Sequence, residues 1–434
     1  MQCSNSFKHI RLIILLGSPM RRILKPHIVV FSIVLMLLIN VSYTKNSEKA
    51  SKTSLDRKSP DLALTPPMGL NTWNYFGYEI NDSLIREIID AMVSTGLRDA
   101  GYTYVCLDDG WQANRSERSG ALEYDKEKFP NGIKPLADYA HANGLKLGIY
   151  SGPHATTCGG YEGSEGHEVE DAKMFAFWEI DHLKYDGCCK RTDNYQERYQ
   201  TMSDALVATG RDIVLHLCHC GRNDVWTWAR SRGGHHWRIA RDIADRWDRI
   251  LFELDEGVDL AKYAGPGGWN DFDMLVVGIN GKSKNADFAD GNNPGCTPGE
   301  YRAHFSLWCI LSSPLFIGND PRKMDSYSIE TLTNKEVIAL NQDPLGIQAS
   351  KVKDEGDFEI FAKPLSDGSW AVALLNRSSA AQDMTVNWQN DLGVIWNSVS
   401  VRDLWEHADK GTFSKSYSTN VPSHGVVLIR VLSP

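Results

Sequence analysis

From Ala63 onward, short apolar runs alternate with amphipathic stretches, the pattern of repeated βα units. Period and turn signals predict strands over residues 68–73, 102–107, 145–151, 182–186, 212–218, 235–242, 271–277 and 314–320. Helical stretches fall between them at 83–97, 133–143, around Val169 to Trp178, at 195–209, after Trp247 and at 302–312, with Asp82 or Ser83 as the cap of the first. Eight strands alternating with helices predict a (β/α)8 TIM barrel over residues 63–345, whose chemistry gathers at the C-terminal ends of the strands. Past Gly346 the helical period disappears. Short β-type runs at 358–362, 370–376, 384–388, 398–404 and 426–431, divided by Gly, Asp, Asn or Ser turns, predict a C-terminal antiparallel β-sandwich over residues 346–434.

The N-terminus follows a different pattern. Met20-Arg21-Arg22 supplies a positive start, residues 28–41 are apolar without charge, and polar residues follow, the layout of a signal peptide over residues 1–45 with a polar linker at 46–62. Met20 is an alternative start. The apolar run is shorter than the roughly 18 residues of a spanning helix, so the protein is expected to be secreted or periplasmic, without a stable membrane span after signal removal. An anchor is the lesser reading.

A hydrophobic content of 42% and a charged content of 23% are ordinary for a globular protein. The net charge of -9 leaves no basic face for phosphate, so no nucleic-acid partner is expected. Thirteen Trp and sixteen Tyr suit platforms for sugar faces, although most such residues serve a core. Of nine cysteines, Cys3 precedes the expected cleavage point, and export permits disulfides among the rest. Neither Cys188-Cys189 nor Cys218-x-Cys220 has zinc-knuckle spacing, so no metal or other cofactor is expected.

Candidate chemistry sits at the predicted strand ends. Lys184 and Asp186, two apart on a strand, share a face, and a cation beside Asp186 favours an ionised carboxylate able to act as a nucleophile. Alone, such a pair is usually a surface ion pair. Asp108-Asp109 beside Trp111 places two carboxylates where a polyol would satisfy them, with a solvated acidic turn as the bland alternative. Tyr150 ends the third strand. His219, just past the fifth, fits an acid, a ligand or a donor, with packing the usual answer. The sixth run ends Arg238-Ile239-Ala240-Arg241-Asp242, where alternation along the strand turns Arg241 away from Asp242.

Five blocks in order carry a resemblance: Met68-Gly69-x-Asn71-x-Trp73, Leu107-Asp108-Asp109-x-Trp111, Leu183-Lys184-Tyr185-Asp186-Gly187-Cys188, Trp237-Arg238 followed by Asp242, and Gly265-Pro266-Gly267-Gly268-Trp269-Asn270-Asp271. From about Ala63 to the C-terminus the chain resembles glycoside hydrolase family 27, the α-galactosidase and α-N-acetylgalactosaminidase family. The resemblance implies a retaining exo-glycosidase that releases terminal α-linked galactose, with Asp186 as nucleophile and Asp242 as acid/base. It implies that Trp73, Asp108 and Asp109 hold the 4- and 6-hydroxyls, that Tyr150, Lys184 and Arg238 make further sugar contacts, and that Met274 makes an apolar one. It also implies a Cys158–Cys188 disulfide. Lys184 and Arg238 are then expected to keep Asp186 charged, and Asp242 to sit in a less cationic place that keeps its proton.

The chain departs from the family pattern at several positions. Leu70 stands where an aromatic residue is usual, and Tyr78 and Gly110 replace a pair of cysteines that commonly form a bridge. Cys218-His219-Cys220 replaces the usual Cys-Glu-Trp, which opens the choice of substituent at C2 of the sugar. The alternatives are therefore α-N-acetylgalactosaminidase or β-L-arabinopyranosidase specificity on the same scaffold, or a sugar-binding protein without catalysis.

Overall fold

The structure, a computed structural model, describes residues 62–188, 190, 194–283 and 293–433. The expected signal peptide and nearly all of the linker lie outside the described residues. Among those described, no helix is long and apolar enough to cross a membrane.

Eight parallel strands form the barrel: β1 (Met68–Asn71), β2 (Tyr104–Cys106), β3 (Lys146–Ser151), β4 (His182–Asp186), β5 (Val214–Cys218), β6 (His236–Arg238), β7 (Trp269–Asp271) and β8 (Leu315–Ile317). From β1 to β7 each pairs with its neighbours in sequence, and β8 returns to pair with β1. The remaining seam closes through a parallel bridge from Leu275 to Ile317, with the Leu275 N–H on the Phe316 carbonyl and the Gly318 N–H on the Leu275 carbonyl. The strands are buried along almost their whole length because helices cover the outside and side chains fill the inside.

Local chemistry sets the helix ends. The helix Asp82–Ser94 is capped by Asn81, whose side chain accepts from the Leu84 N–H at 2.9 Å, so the cap lies one residue before the expected Asp82 and two before Ser83. The helix Pro298–Ile310 starts on a capping box between Thr297 and Glu300, with Pro298 at its first position.

Two strand ends differ from expectation, and both matter for the site. β6 stops at Arg238, four residues before Asp242, because the Arg238 guanidinium itself takes up the Ala240 and Arg241 carbonyls and curls the chain off the sheet. Asp242 therefore lies on a loop, and strand alternation does not decide where Arg241 points. β7 covers Trp269–Asp271, not 271–277. The Trp269 N–H already pairs with the His235 carbonyl, and Asp273 adopts a left-handed φ of 75° that no strand tolerates.

The C-terminal domain has a six-stranded antiparallel sheet in the order β14-β13-β16-β11-β10-β9, facing a two-stranded sheet of β12 and β15. Here β9 is Ser350–Asp354, β10 Phe358–Pro364, β11 Trp370–Asn376, β12 Gln382–Asn387, β13 Val399–Asp403, β14 Ala408–Phe413, β15 Ser416–Val421 and β16 Gly425–Leu432. Alternation is visible within β11: Ala371, Ala373 and Leu375 join the barrel's core, while Val372 and Leu374 face the second sheet with Met384, Val386 and Trp388. One sheet thus serves two cores. The ion pair Arg377–Asp255 and the Trp405 indole on the Ser306 hydroxyl tie the domain further to the barrel.

Candidate active site

At the ends of β1 and β2 a hydrogen-bonded frame holds the paired aspartates. Asp108 is buried, and its Oδ2 accepts from Asn71 Nδ2 and from Lys184 Nζ, both at 2.8 Å. Its Oδ1 accepts the Asp109 N–H at 2.9 Å, and its own N–H donates to the Thr72 hydroxyl. Asp109 accepts from the N–H groups of Gly110 and Gly159 at 3.0 and 2.8 Å. Burial pushes Asp109 up to about 6 against those donors.

Trp73 opens the short helix Trp73–Phe76, its N–H held by Asn71 Oδ1. Its ring meets Tyr78 edge to face at 5.1 Å. Tyr78 is wedged where side chains at two glycines would stand: a Cβ at Gly110 would lie 2.9 Å from the Tyr78 ring, and one at Gly159 would lie 2.7 Å from its hydroxyl and 2.9 Å from Asp109 Oδ2. The two replacements noted in the sequence are therefore one change. Gly110, at φ 99°, makes the room that Tyr78 fills.

β3 and β4 bring Tyr150, Lys184 and Asp186 together. Lys184 Nζ lies 5.2 Å over the Tyr150 ring and 3.8 Å from Asp186 Oδ2. Asp186 Oδ1 accepts the Cys188 N–H at 2.7 Å, and Cys188 is bonded to Cys158, to whose sulfur the Tyr150 hydroxyl donates. Burial raises Asp186 above the ordinary carboxylate range, with Lys184 and the Cys188 N–H working the other way and Asp242 adding to the rise.

Arg238 does not hold Asp186 in the way the sequence suggested. Its Nη2 donates to Asp242 Oδ1 at 3.0 Å and is ion-paired with Asp273 Oδ2 at 2.9 Å. The Asp242 side chain is 60% exposed. What desolvation the pocket imposes would raise it, yet Arg238 and then Lys184 hold Asp242 below the usual value. Asp242 is thus held low by its ion pair with Arg238 while burial raises Asp186, so Asp242 does not sit in the less cationic place that was expected for it. Met274 is buried and lines a small cavity of about 20 Å3 with Asn71, Lys184, Arg238 and Asp273.

His219 does not reach this cavity. Its ring is wholly buried, 3.9 Å from that of Tyr195 and within 6 Å of Tyr199 and Trp228, and among the described residues neither ring nitrogen has a hydrogen-bond partner. The reason lies in the loop. Cys220, Gly221, Asn223 and Asp224 all take positive φ, a sharp reversal that draws the strand end outward.

Beneath the site lies a histidine group that the sequence reading passed over. His182 Nε2 is 2.9 Å from His236 Nε2, while His236 Nδ1 and His216 Nε2 both reach Asp271 Oδ2, at 2.9 and 3.1 Å. The atoms are close enough for a metal ion. However, the His216 and His236 rings stack 4.0 Å apart at 18°, so their in-plane lone pairs run side by side and do not converge. Hydrogen bonding to Asp271 is the chemistry this geometry supports.

Reasoning from sequence also missed Asn71, Asp273 and Glu253. The period-two spacing of Asp271 and Asp273 was a usable signal for the second of these.

Comparison with known proteins agrees with this arrangement. A family model described as alpha galactosidase A matches residues 65–343, and one for the alpha galactosidase C-terminal beta sandwich domain matches residues 355–431. The chain is 43% identical to an alpha-galactosidase of Cyamopsis tetragonoloba over 413 residues, covering 93% of this chain and 96% of that protein. It is 42% identical to alpha-galactosidase A of Cellvibrio japonicus over 399 residues, 87% and 94% of the two. The crystal structure of alpha-galactosidase I from Mortierella vinacea superposes with a TM-score of 0.80 at 36% identity, covering 86% and 98%.

Proposed function

The chain belongs to glycoside hydrolase family 27 with the activity of an α-galactosidase, and from that premise we propose a double displacement in which Asp186 is the nucleophile and Asp242 the acid/base. The observation that supports this is that Lys184, 3.8 Å from Asp186 Oδ2, and Arg238, 3.0 Å from Asp242 Oδ1, line the same cavity. Asp186 attacks the anomeric carbon of a terminal α-galactosyl unit. The bond to the leaving oxygen breaks as Asp242 donates its proton there. Water then attacks the same carbon, Asp242 takes its proton, and the ester to Asp186 breaks with net retention.

In this reading Trp73, Asp108 and Asp109 hold the 4- and 6-hydroxyls, and Tyr150, Lys184, Arg238 and Met274 complete the sugar pocket. An acceptor reserved for a 6-hydroxyl favours galactose over an arabinopyranose, which lacks that carbon. Because His219 is buried, preference at C2 rests on other parts of the loop after β5. The Cys158–Cys188 disulfide supports export to an oxidising compartment.

The test is hydrolysis of aryl α-galactoside by Asp186→Asn beside the native protein. The proposal expects kcat to fall by several orders of magnitude, and undiminished turnover would overturn it. A panel adding the α-N-acetylgalactosaminide and the β-L-arabinopyranoside ranks the alternatives, with the galactoside expected first.

A further inference from the structure

We propose that Asp273 is a positioning residue for the acid/base step, holding Arg238 and the Asp242 loop in one frame so that Asp242 can carry its proton to the leaving oxygen. This rests on the reading of Asp242 as acid/base.

Asp242 has no strand to fix it, since β6 ends four residues earlier. Its place is set by its neighbours. Asp273 Oδ2 accepts the N–H of Ile243, the residue after Asp242, at 2.8 Å, and the same oxygen takes Arg238 Nη2 at 2.9 Å. That Nη2 also reaches Asp242 Oδ1 and the Arg241 carbonyl, at 3.0 and 2.7 Å. One buried oxygen thus holds both the peptide following Asp242 and the cation paired with it.

Asp273 is itself held in place. Its backbone sits at φ 75°, costly for a residue with a side chain, and is pinned by the Trp308 indole on its carbonyl at 2.7 Å and by its N–H on Asp271 Oδ1 at 2.9 Å.

Charge gives the arrangement its use. Around Asp242, cations come from β4 (Lys184), from β6 (Arg238) and from the helix Trp247–Gly257 (Arg249), with carboxyls at Asp186, Asp273 and Glu253. An Asp242 facing Arg238 alone would stay ionised and could not act as an acid. Asp273 offers Arg238 a second carboxylate, so the guanidinium remains neutralised when Asp242 takes up a proton. Burial pushes Asp273 up to about 6 against Arg238, which agrees with two carboxylates sharing one cation.

The experiment measures kcat/KM for two α-galactosides, one with a dinitrophenyl leaving group that departs without a proton and one with a sugar aglycone that needs one. Asp273→Asn keeps an acceptor for Ile243 and removes the charge. Its loss on the sugar aglycone is expected to exceed its loss on the dinitrophenyl compound by about tenfold or more, and equal losses overturn the proposal. Asp242→Asn, run alongside, must show the same bias more strongly. If it shows none, the acid/base reading itself fails, whereas bias in Asp242→Asn without bias in Asp273→Asn removes the positioning role alone. Should Asp273→Asn not fold, Arg238→Lys replaces it: a lysine ends short of the Nη2 position that meets both Asp242 Oδ1 and Asp273 Oδ2, so it too must discriminate by leaving group, and a uniform loss overturns the proposal.

Discussion

Lys184 stands 2.8 Å from Asp108 and 3.8 Å from Asp186, so its closer partner is the carboxylate proposed to bind sugar rather than the proposed nucleophile. Burial opposes its charge, but Asp108 and then Asp186 outweigh that and keep the ammonium protonated. Asp108→Asn leaves a buried cation short of its main counter-charge. The variant is expected to lose about 3–5 kcal/mol of stability and to show a higher KM for aryl α-galactoside, by urea melts and steady-state kinetics. An unchanged urea midpoint would mean that Lys184 shifts to Asp186 at no cost.

Glu253 is fully buried in the helix Trp247–Gly257, neither carboxyl oxygen has a hydrogen bond among the described residues, and Arg249 comes no nearer than 3.5 Å. Burial, only partly offset by Arg238, pushes it from 4.5 up to about 9. The unfolded chain releases this proton near 4.5 and the folded one holds it to about 9, so stability falls as pH rises through that window, by up to about 1.4 kcal/mol per unit. Glu253→Gln removes the titration. Its urea midpoint should exceed that of the native protein increasingly between pH 5 and 8.5, and a constant gap would refute the assignment.

The buried His219 titrates in the opposite sense. Burial, then Arg222, lowers it to about 4, so on acidification the unfolded chain takes up a proton near 6.5 well before the folded one, and stability drains away as pH falls from about 6.5 to 4. His219→Phe fills the same aromatic space without the nitrogens. Its acid melting curve should be shallower than the native one, while KM for aryl α-galactoside stays unchanged. A raised KM would return the ring to the sugar pocket.

The barrel was legible because its strands are apolar runs cut by turn residues, and the proposed nucleophile because Lys184 and Asp186 sit on a strand that ends where the pattern says. The ends of β6 and β7 were not. There a guanidinium capturing carbonyls and a left-handed aspartate decide where pairing stops, and neither event leaves a periodic trace. In the C-terminal domain β9, β14 and β15 were missed for a related reason: Ser350–Asp354, Ala408–Phe413 and Ser416–Val421 are largely polar and half exposed, so they carry little hydrophobic signal. Which partner Arg238 prefers is likewise a three-dimensional fact, set by the turn that brings Asp273 back beneath it.

Two unlike fastenings hold the acidic groups: the sulfur bridge Cys158–Cys188 beside Asp186, and the Tyr78 ring packed against Gly110 and Gly159 beside Asp109. A thiol reductant acts on the first and finds nothing to attack in the second. The two fastenings are thus chemically unequal, and in a reducing milieu the hold on Asp109 would outlast the hold on Asp186.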